Sequence, residues 1–319
     1  MKLQPLTPDD LASIDPLIAS YPFKPYRHYR VLSRKLQNAV LREEIAETAK
    51  HANGLVLALG EPEIRAAAVA RALDWDTQFF GVPMGRIEHV LRSDAEALPE
   101  TIGRTVDALR ARQVRHVSAR VDVEDIELLT ALEANGFRLM DALVTYTTRP
   151  RKEPPHDVRE VGSIREFRPE DAPELLAITE EAYRGYKGRF HRDPQVPNDR
   201  ADAFYVEWAR QCLSGAMADM IFVSTGADGR LLGYLAFRRR EPVSTTGGVP
   251  VFGGGLGACR PDAPGAYAGL IRAGTVWAHD HDGVAECQTQ NYNFPVIRVY
   301  EAVGAHYVRA EYTLHRWLS

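Results

Sequence analysis

Apolar and polar positions follow two spacings along the chain, and the last third shows both of them clearly. Residues 284–289 and 306–318 alternate between apolar and polar side chains, which is the period of a half-buried strand. Between them, apolar side chains recur at helical spacing over residues 294–302, with Asn293 as a candidate N-cap and Gly304 just past the end. The pattern predicts a strand, a helix and a second strand.

The same two periods recur through the rest of the sequence. A glycine-rich stretch leads to an apolar strand segment at residues 256–259, and a helix follows that ends near residue 279. The turn at residues 226–229 joins two strands as a hairpin. Further strands are expected near residues 2–6, 55–59, 64–73, 219–224 and 231–239, and helices from about residues 9, 169 and 198. This mixture of elements predicts a mixed α/β (α+β) fold.

An internal repeat organises these elements. Residues 132–148 resemble residues 300–316, and residues 6–17 resemble residues 167–178. The identical pairs in the first comparison are Glu133 and Glu301, Ala134 and Ala302, Gly136 and Gly304, Ala142 and Ala310, and Thr145 and Thr313. Agreement at both ends of the repeat indicates two copies of one fold.

The length of the chain agrees with this duplication. Its 319 residues suit two domains of about 150 residues each. Residues 151–162 are charged, rich in proline and without a hydrophobic period, as in a linker. The sequence therefore predicts one domain over residues 1–150 and a second over residues 163–319.

Composition limits the kinds of partner. The chain is 45% hydrophobic and 26% charged, and its net charge of −4 argues against a nucleic-acid polymer. The three cysteines, Cys212, Cys259 and Cys287, have no metal-ligand spacing, so we expect no metal site and reduced thiols. No signal peptide or membrane-length apolar run is recognisable, so we expect a cytoplasmic protein without a membrane partner, as a monomer or homodimer.

The C-terminal unit carries a recognisable pattern, an asparagine seven residues before a tyrosine that is followed by glutamate and glycine. In this chain these are Asn293, Tyr300, Glu301 and Gly304. The pattern resembles the end of the GNAT acetyltransferase fold, and within that superfamily it is most similar to the TDP-fucosamine acetyltransferase branch. The resemblance implies two tandem GNAT-like domains, each with a central mixed, mostly antiparallel sheet flanked by helices.

The resemblance also implies an activity. It would be N-acetyl transfer from acetyl-CoA to the amine of a nucleotide-linked amino sugar. Asn293 would contact the coenzyme A arm, and Tyr300 would be the general acid for the departing thiolate. Without the resemblance, the two residues are equally well explained as a helix cap and a core tyrosine.

The coenzyme loop of GNAT proteins, Q/R-x-x-G-x-G/A at a helix start, corresponds here to residues 264–269, PGAYAG. Tyr267 stands where the first motif glycine belongs, and Pro264 replaces Gln or Arg. Either the tyrosine ring turns outward and the backbone tolerates it, or the acyl donor sits differently. Expected coenzyme contacts are Gly265, Ala266, Tyr267, Ala268 and Gly269, with oxyanion-holding backbone N–H groups at Leu256, Gly257 and Ala258.

The first copy lacks these features. Leu132 and Asp125 stand where the second copy has Tyr300 and Asn293, and acidic residues precede the corresponding helix. Carboxylates would repel a pyrophosphate that a helix N-terminus could otherwise bind. We therefore expect the first copy to have lost coenzyme binding and to serve as scaffold and substrate wall.

Two segments of the first copy are candidates for acceptor binding. Residues 21–30, YPFKPYRHYR, interleave aromatic rings with cations, which suits a base and its phosphates. Residues 75–81, WDTQFFG, form an aromatic-rich turn that resembles the same acetyltransferase branch. The expected contacts are Tyr26, Arg27, Arg30, Trp75 and Phe79; a surface loop and a core segment are the alternatives.

A basic loop in the second copy, residues 184–197, is the third acceptor candidate. Its RFHRDP run resembles the same branch, and Arg189, His191 and Arg192 would face an anionic diphosphate. A solvated basic loop is the alternative. The general base stays open among Glu181, His191, Asp193 and a water molecule.

Two other functions are compatible with the sequence. One is a GNAT enzyme with a different amine as acceptor. The other is a catalytically dead tandem GNAT that binds a ligand or a partner. Tyr267 in the coenzyme loop favours the binding protein, whereas Asn293 and Tyr300 argue for an enzyme.

Overall fold

The computed structural model describes residues 3–148, 158 and 161–319. The first part of the chain forms strands β1 (Leu3–Pro5), β2 (Gly54–Leu59), β3 (Ala66–Ala72), β4 (Met84–Arg92), β5 (His116–Asp122) and β6 (Arg138–Thr147). Its helices are α1 (Asp15–Ser20), α2 (Arg34–Lys50), α3 (Asp74–Phe80), α4 (Leu98–Ala111) and α5 (Ile126–Ala134). Short 3-10 helices span Pro8–Ile14 and Ala95–Ala97.

The remainder repeats this order of elements, except that its described residues have no counterpart of α3 between the corresponding strands. Its strands are β7 (Ser163–Glu166), β8 (Met220–Thr225), β9 (Leu231–Arg239), β10 (Val251–Cys259), β11 (Val284–Gln290) and β12 (His306–Trp317). Its helices are α6 (Ala172–Tyr183), α7 (Asn198–Leu213), α8 (Ala266–Asp280) and α9 (Phe294–Ala302), with a 3-10 helix at Pro169–Asp171. The predicted mixed α/β class and the C-terminal strand, helix and strand are confirmed. Among the described residues, no helix combines the length and apolar character needed to cross a membrane.

One local prediction is wrong. The segment that follows β3 was expected to be an aromatic-rich turn, but it forms the helix α3. Trp75 and Phe79, four residues apart, stack with their ring centroids 6.3 Å from each other on one side of this helix. Gly81 ends the helix with a left-handed φ of 69°, a conformation that costs glycine little.

The chain forms two compact units that exchange strands, because most of β6 belongs to unit 2 and most of β12 belongs to unit 1. Unit 1 comprises Met1–Asp141 with Ala310–Ser319, and unit 2 comprises Ala142–Arg309. The chain thus passes into unit 2 within β6 and returns to unit 1 within β12. The units differ in this from the predicted division at residues 150 and 163. Of the predicted linker, residues 158, 161 and 162 are described and the others lie outside the described residues.

Both units have the same strand order. Unit 1 has β1-β2-β3-β4-β5-β12, and unit 2 has β7-β8-β9-β10-β11-β6. In each, one central pair, β4 with β5 and β10 with β11, is parallel, and the other pairs are antiparallel. The expected mixed, mostly antiparallel sheet is confirmed, with β6 and β12 each completing the other copy's sheet.

Each unit has its own hydrophobic core. In unit 1, α4 and α5 pack against the sheet through a cluster that includes Ile102 and Leu132. In unit 2, α8 and α9 pack on the sheet through Phe237, Leu270 and Tyr300. Burial of such a large apolar side chain contributes about 2–3 kcal/mol. The core therefore fixes α9, and with it Tyr300, against β11.

Candidate active site in the second unit

The two parallel strands of unit 2 separate before they end. Their pairing runs from Val251 opposite Val284 to Gly254 opposite Cys287. Beyond that point β10 continues along β9, and β11 continues along β6. We call the space between residues 255–259 of β10 and residues 288–290 of β11 the strand opening. Backbone groups along its edges are released from the parallel ladder and are available to a ligand.

A β-bulge lies on the β10 side of the strand opening. The register with β9 shifts between Gly254 and Gly257, so one extra residue is inserted there. Gly255 is exposed, whereas Leu256 and Ala258 are buried and Gly257 is half-buried. Bulges of this kind redirect backbone groups next to active sites. The three residues predicted to hold an oxyanion thus lie on or beside the bulge.

Helix α8 begins just past the end of β10. Gly265 has a φ of 98°, which an L-residue rarely adopts, and it turns the chain into the helix. The first turn contains no acidic residue. Ala266, Ala268 and Gly269 are buried small residues, so little bulk surrounds the positive end of the helix dipole.

Tyr267 turns inward rather than outward. Its ring packs against the core cluster of unit 2. Its hydroxyl lies close to that of Tyr300, and burial raises the pKa of Tyr267 well above its ordinary value. The outward orientation considered from the sequence is therefore wrong.

Tyr300 lies in the core of unit 2 with its hydroxyl at the strand opening. The residue is 2% exposed. Its hydroxyl donates to the Gln288 carbonyl oxygen on β11 over 3.3 Å. Burial, and then the neighbouring Tyr267 and Cys287, raise the pKa of Tyr300 well above its ordinary value. The phenol therefore stays protonated near neutral pH and can donate a hydrogen bond or a proton.

Asn293 occupies the N-cap of α9 without capping it. Its side-chain Nδ2 donates to Thr289 Oγ1 over 2.9 Å, and its side chain makes no cap hydrogen bond. Within the described part of the chain, its Oδ1 atom accepts no hydrogen bond. Because Thr289 is one of the residues that line the strand opening, the free Asn293 carbonyl oxygen lies beside that opening.

Three tyrosines that the sequence reasoning missed form what we call the aromatic wall: Tyr183, Tyr186 and Tyr205. The Tyr183 hydroxyl donates to the Gly257 carbonyl oxygen over 2.9 Å. The Tyr186 hydroxyl bonds the Gln290 side chain. Tyr205 stacks on Tyr183 with centroids 4.1 Å apart and planes 6° apart. The aromatic wall therefore contacts both edges of the strand opening. The only sequence feature that indicates it is the i, i+3 spacing of Tyr183 and Tyr186.

The basic loop packs near the same place. The Arg192 guanidinium lies 4.7 Å from the ring centroid of Tyr292, and the Tyr292 hydroxyl bonds the Lys187 carbonyl oxygen. The Arg189 guanidinium lies 4.3 Å above the Phe190 ring. His191 Nε2 lies 2.9 Å from Asp202 Oδ1. The loop is thus anchored to the residues that join β11 to α9, rather than simply solvated.

The acceptor candidates of the first copy lie in unit 1. Arg27 forms ion pairs with Asp122 and Glu124, at 3.0 and 2.6 Å, so two carboxylates offset its charge. Tyr26 has a left-handed φ of 61° and stacks on Tyr29 with centroids 6.2 Å apart. The other three candidates are exposed Arg30 and the half-buried α3 residues Trp75 and Phe79.

The corresponding place in unit 1 is filled by an ion pair. Arg92, at the end of β4, binds Asp125 through two nitrogens at 2.6 and 3.0 Å. The Asp125 side chain is 1% exposed, and its Oδ1 also accepts the N–H of Leu128, so it caps α5. The Arg92 guanidinium lies 5.8 Å from the Phe23 ring centroid. Unlike Asn293, Asp125 has both oxygens engaged.

Several solved structures similar to this chain are described as GNAT proteins or GCN5-related N-acetyltransferases. No protein-family model matches the sequence, and no curated protein sequence is significantly similar to it. A GCN5-related N-acetyltransferase from Sphaerobacter thermophilus is 14% identical, with 99% of this chain and 95% of that chain covered and a TM-score of 0.66. A tandem GNAT protein from the clavulanic acid biosynthesis pathway is 14% identical, with 99% and 98% covered and a TM-score of 0.59.

A third similar structure is a GCN5-related glucosamine N-acetyltransferase region of a fungal multi-domain GH3 β-N-acetylglucosaminidase. It is 11% identical, with 99% of this chain and 38% of that chain covered and a TM-score of 0.63. At these identities the similarity establishes the fold alone. The predicted architecture is thereby confirmed: this chain has the GNAT acetyltransferase fold in a tandem arrangement.

Proposed function

We propose that unit 2 transfers the acetyl group of acetyl-CoA to the amine of a small acceptor. The observation that carries the proposal is the strand opening, because the Tyr300 hydroxyl and the free Asn293 carbonyl both lie beside it. A GCN5-related N-acetyltransferase and a tandem GNAT protein have similar folds, which supports this class of reaction.

The chain offers suitable groups to such a donor. The start of α8 would bind the pyrophosphate, because its first turn lacks carboxylates and the helix dipole favours an anion. Asn293 Oδ1 would accept a hydrogen bond from the pantetheine arm. Backbone N–H groups at Leu256, Gly257 and Ala258 would hold the thioester oxygen. Unit 1 would not bind the donor, because Arg92 and Asp125 occupy the equivalent place.

The side chains favour direct transfer. When bound, acetyl-CoA supplies an activated acetyl thioester. Burial raises the pKa of Cys212, Cys259 and Cys287 to about 12 in each case, so none is a thiolate near pH 7 and none is suited to carry the acetyl group. Tyr300 would donate its proton to the leaving sulfur.

The acceptor we propose is a nucleotide-linked amino sugar of the TDP type. Arg189 and Arg192 would bind the diphosphate, with His191 beside them, and aromatic rings such as Tyr292 would stack on the base or sugar. Tyr26, Arg27, Arg30, Trp75 and Phe79 are proposed as further acceptor contacts from unit 1. The glucosamine N-acetyltransferase region with a similar fold supports an amino sugar as acceptor.

The test combines calorimetry with a thiol-release assay. Acetyl-CoA and coenzyme A are titrated into the full chain, and free thiol is then followed with acetyl-CoA and a TDP-linked amino sugar. Its N-acetylated form, glucosamine and a lysine peptide serve as controls. We expect acetyl-CoA binding, and thiol release only with the TDP-linked amine. Binding without release from any amine would favour a non-catalytic binding protein, and release from glucosamine or the peptide alone would replace the proposed acceptor.

A further inference from the structure

We propose that His191 is the general base of the transfer and that Asp202 positions it; this rests on the proposed function. The His191 side chain is 5% exposed, and its Nε2 lies 2.9 Å from Asp202 Oδ1. The same carboxylate oxygen accepts the Gly185 N–H over 2.9 Å. The carboxylate is therefore fixed by both the loop and α7, and it fixes the imidazole in turn.

This arrangement decides which nitrogen carries the hydrogen. A carboxylate oxygen accepts hydrogen bonds, so Nε2 must donate and the lone pair of a neutral ring lies on Nδ1. Nδ1 is buried, and within the described residues it has no hydrogen-bond partner. A buried acceptor without a partner is unfavourable. A water molecule that relays a proton from the ligand would satisfy it.

The imidazole lies behind the aromatic wall of the strand opening. Its ring centroid is 5.9 Å from that of Tyr205, with planes 17° apart, and 6.3 Å from that of Tyr186. Tyr186 bonds Gln290 on β11, and Tyr205 stacks on Tyr183, which bonds Gly257 on β10. One layer of rings therefore separates the imidazole from the strand opening, so the proposed transfer of the proton to Nδ1 passes through water and not by direct contact with the amine.

The other sequence candidates fit this role less well. Glu181 is exposed on α6. Asp193 is buried, but its Oδ1 accepts the Gln195 N–H over 3.0 Å and so holds the loop. The groups packed against the His191 ring are the Asp202 carboxylate and the rings of Tyr186 and Tyr205. A positioned neutral imidazole is the usual base at neutral pH.

The proton balance of the step is complete. The acceptor ammonium loses two protons as its nitrogen bonds the acetyl carbon and the carbon–sulfur bond breaks. His191 Nδ1 takes the first proton and later releases it to solvent. Tyr300 donates its proton to the sulfur, and the second nitrogen proton, passed through water, restores the phenol. The products are an N-acetyl amide and a free thiol.

The test is the pH dependence of kcat/KM for wild type, His191→Gln and Asp202→Asn, with the exposed His281→Gln as control. The TDP-linked amino sugar is the acceptor. Loss of a base should lower kcat/KM by roughly 10²- to 10⁴-fold and remove the acid limb of the profile. Asp202→Asn should lower the rate less and shift that limb. The acetyl-CoA Kd should not change in any variant.

A second readout keeps the outcomes separate. Nitrogen NMR of histidine-labelled protein should show the His191 Nε2–H form in wild type and a mixture of tautomers in Asp202→Asn. Turnover by His191→Gln with an unchanged acid limb, or mixed tautomers in wild type, would overturn the assignment of the base alone. Absence of turnover by wild type with every amine would instead overturn the proposed function, and this inference with it.

Discussion

Strands β4 and β10 hold the same position in their units, but the residues at their bulges differ in charge and exposure. In unit 2 the bulge exposes Gly255. In unit 1 the bulge contains Glu88, which accepts a hydrogen bond from Thr48 of α2 and pairs with Arg71. The adjacent His89 lies 3.4 Å from Glu44 of α2. Helix α2 thus contacts the bulge of unit 1 through side chains, whereas the bulge of unit 2 exposes Gly255.

This difference shows that the backbone framework and the site have separate requirements. Ile126 and Phe294, at equivalent positions, are 58% and 63% exposed, and Leu139 and Tyr307 are 53% and 54% exposed. Leu132 and Tyr300 are both buried, at 1% and 2%. Burial is therefore kept at each position while side-chain chemistry changes, so the fold at the Tyr300 position needs bulk and not a hydroxyl.

The largest effect on activity is expected for Tyr300→Phe. Loss of a general acid should lower kcat by about 10²- to 10⁴-fold, or about 3–5 kcal/mol in barrier, with donor affinity and melting temperature nearly unchanged. Tyr146→Phe is a matched control, because Tyr146 lies in the same core with its ring centroid 5.5 Å from that of Tyr300. Near-normal kcat in Tyr300→Phe would remove the hydroxyl from the chemistry, and an unfolded variant would make it a core residue only.

The second prediction concerns the ion pair of unit 1. Arg92→Met should destabilise the protein by about 3–5 kcal/mol, because it leaves the buried Asp125 carboxylate without its partner. Adding Asp125→Asn should recover most of that loss, since asparagine removes the charge and can still cap α5. Denaturant unfolding of both variants measures this. Equal instability of the single and double variants would show that the unpaired Asp125 charge is not the cause of the lost stability.

The matching change in unit 2 should have a smaller and different effect. Asn293→Ala removes a side chain that bonds only Thr289 among described residues, so the melting temperature should change little. We expect the acetyl-CoA Kd to rise about tenfold, which corresponds to about 1.4 kcal/mol, the upper range for one hydrogen bond. Calorimetric titration of the variant tests this. An unchanged Kd would place the coenzyme arm away from Asn293.

The smallest expected effect is the pH dependence of unit 1. Burial would lower the pKa of His89, but the hydrogen bond and charge of Glu44, with the charges of Glu88 and Glu311, raise it overall. A raised folded pKa stabilises below the ordinary value near 6.5, and the effect is lost as pH rises through the folded value. The stability difference between wild type and His89→Gln should therefore shrink above pH 6.5. A difference independent of pH up to 9 would contradict the charge argument.

Much of the fold could be predicted because hydrophobic period and turn residues act locally. The alternation at residues 306–318 and the glycine after α9 correctly predicted β12 and the helix end. The pairing of β12 with β5 could not be predicted, because strand pairing depends on distant contacts that a sequence period does not contain. Helix α3 was not predicted, because its seven aromatic and polar residues are too few to show a clear helical period.

The candidate site was predictable only where a motif existed. Tyr300 and Asn293 belong to a recognised spacing, and the structure places both beside the strand opening. The inward turn of Tyr267 and the aromatic wall depend on packing between α6, α7 and α8, which no local pattern specifies. The acceptor contacts and the division of labour between the copies stay predictions.

The exchange of β6 and β12 between the units also constrains the order in which the protein can fold during synthesis. Strand β5 pairs on one side with Glu311–Trp317, which are synthesised after all the other strands of unit 1. Until then a nascent unit 1 has an unpaired edge at β5, the kind of surface that recruits other strands. Unit 1 therefore completes its sheet only after strands β7 to β11 of unit 2 have been synthesised, although its own other strands emerge first. A fragment that ends at residue 150 lacks that strand, so its β5 would keep an unpaired edge that can pair with strands of other chains.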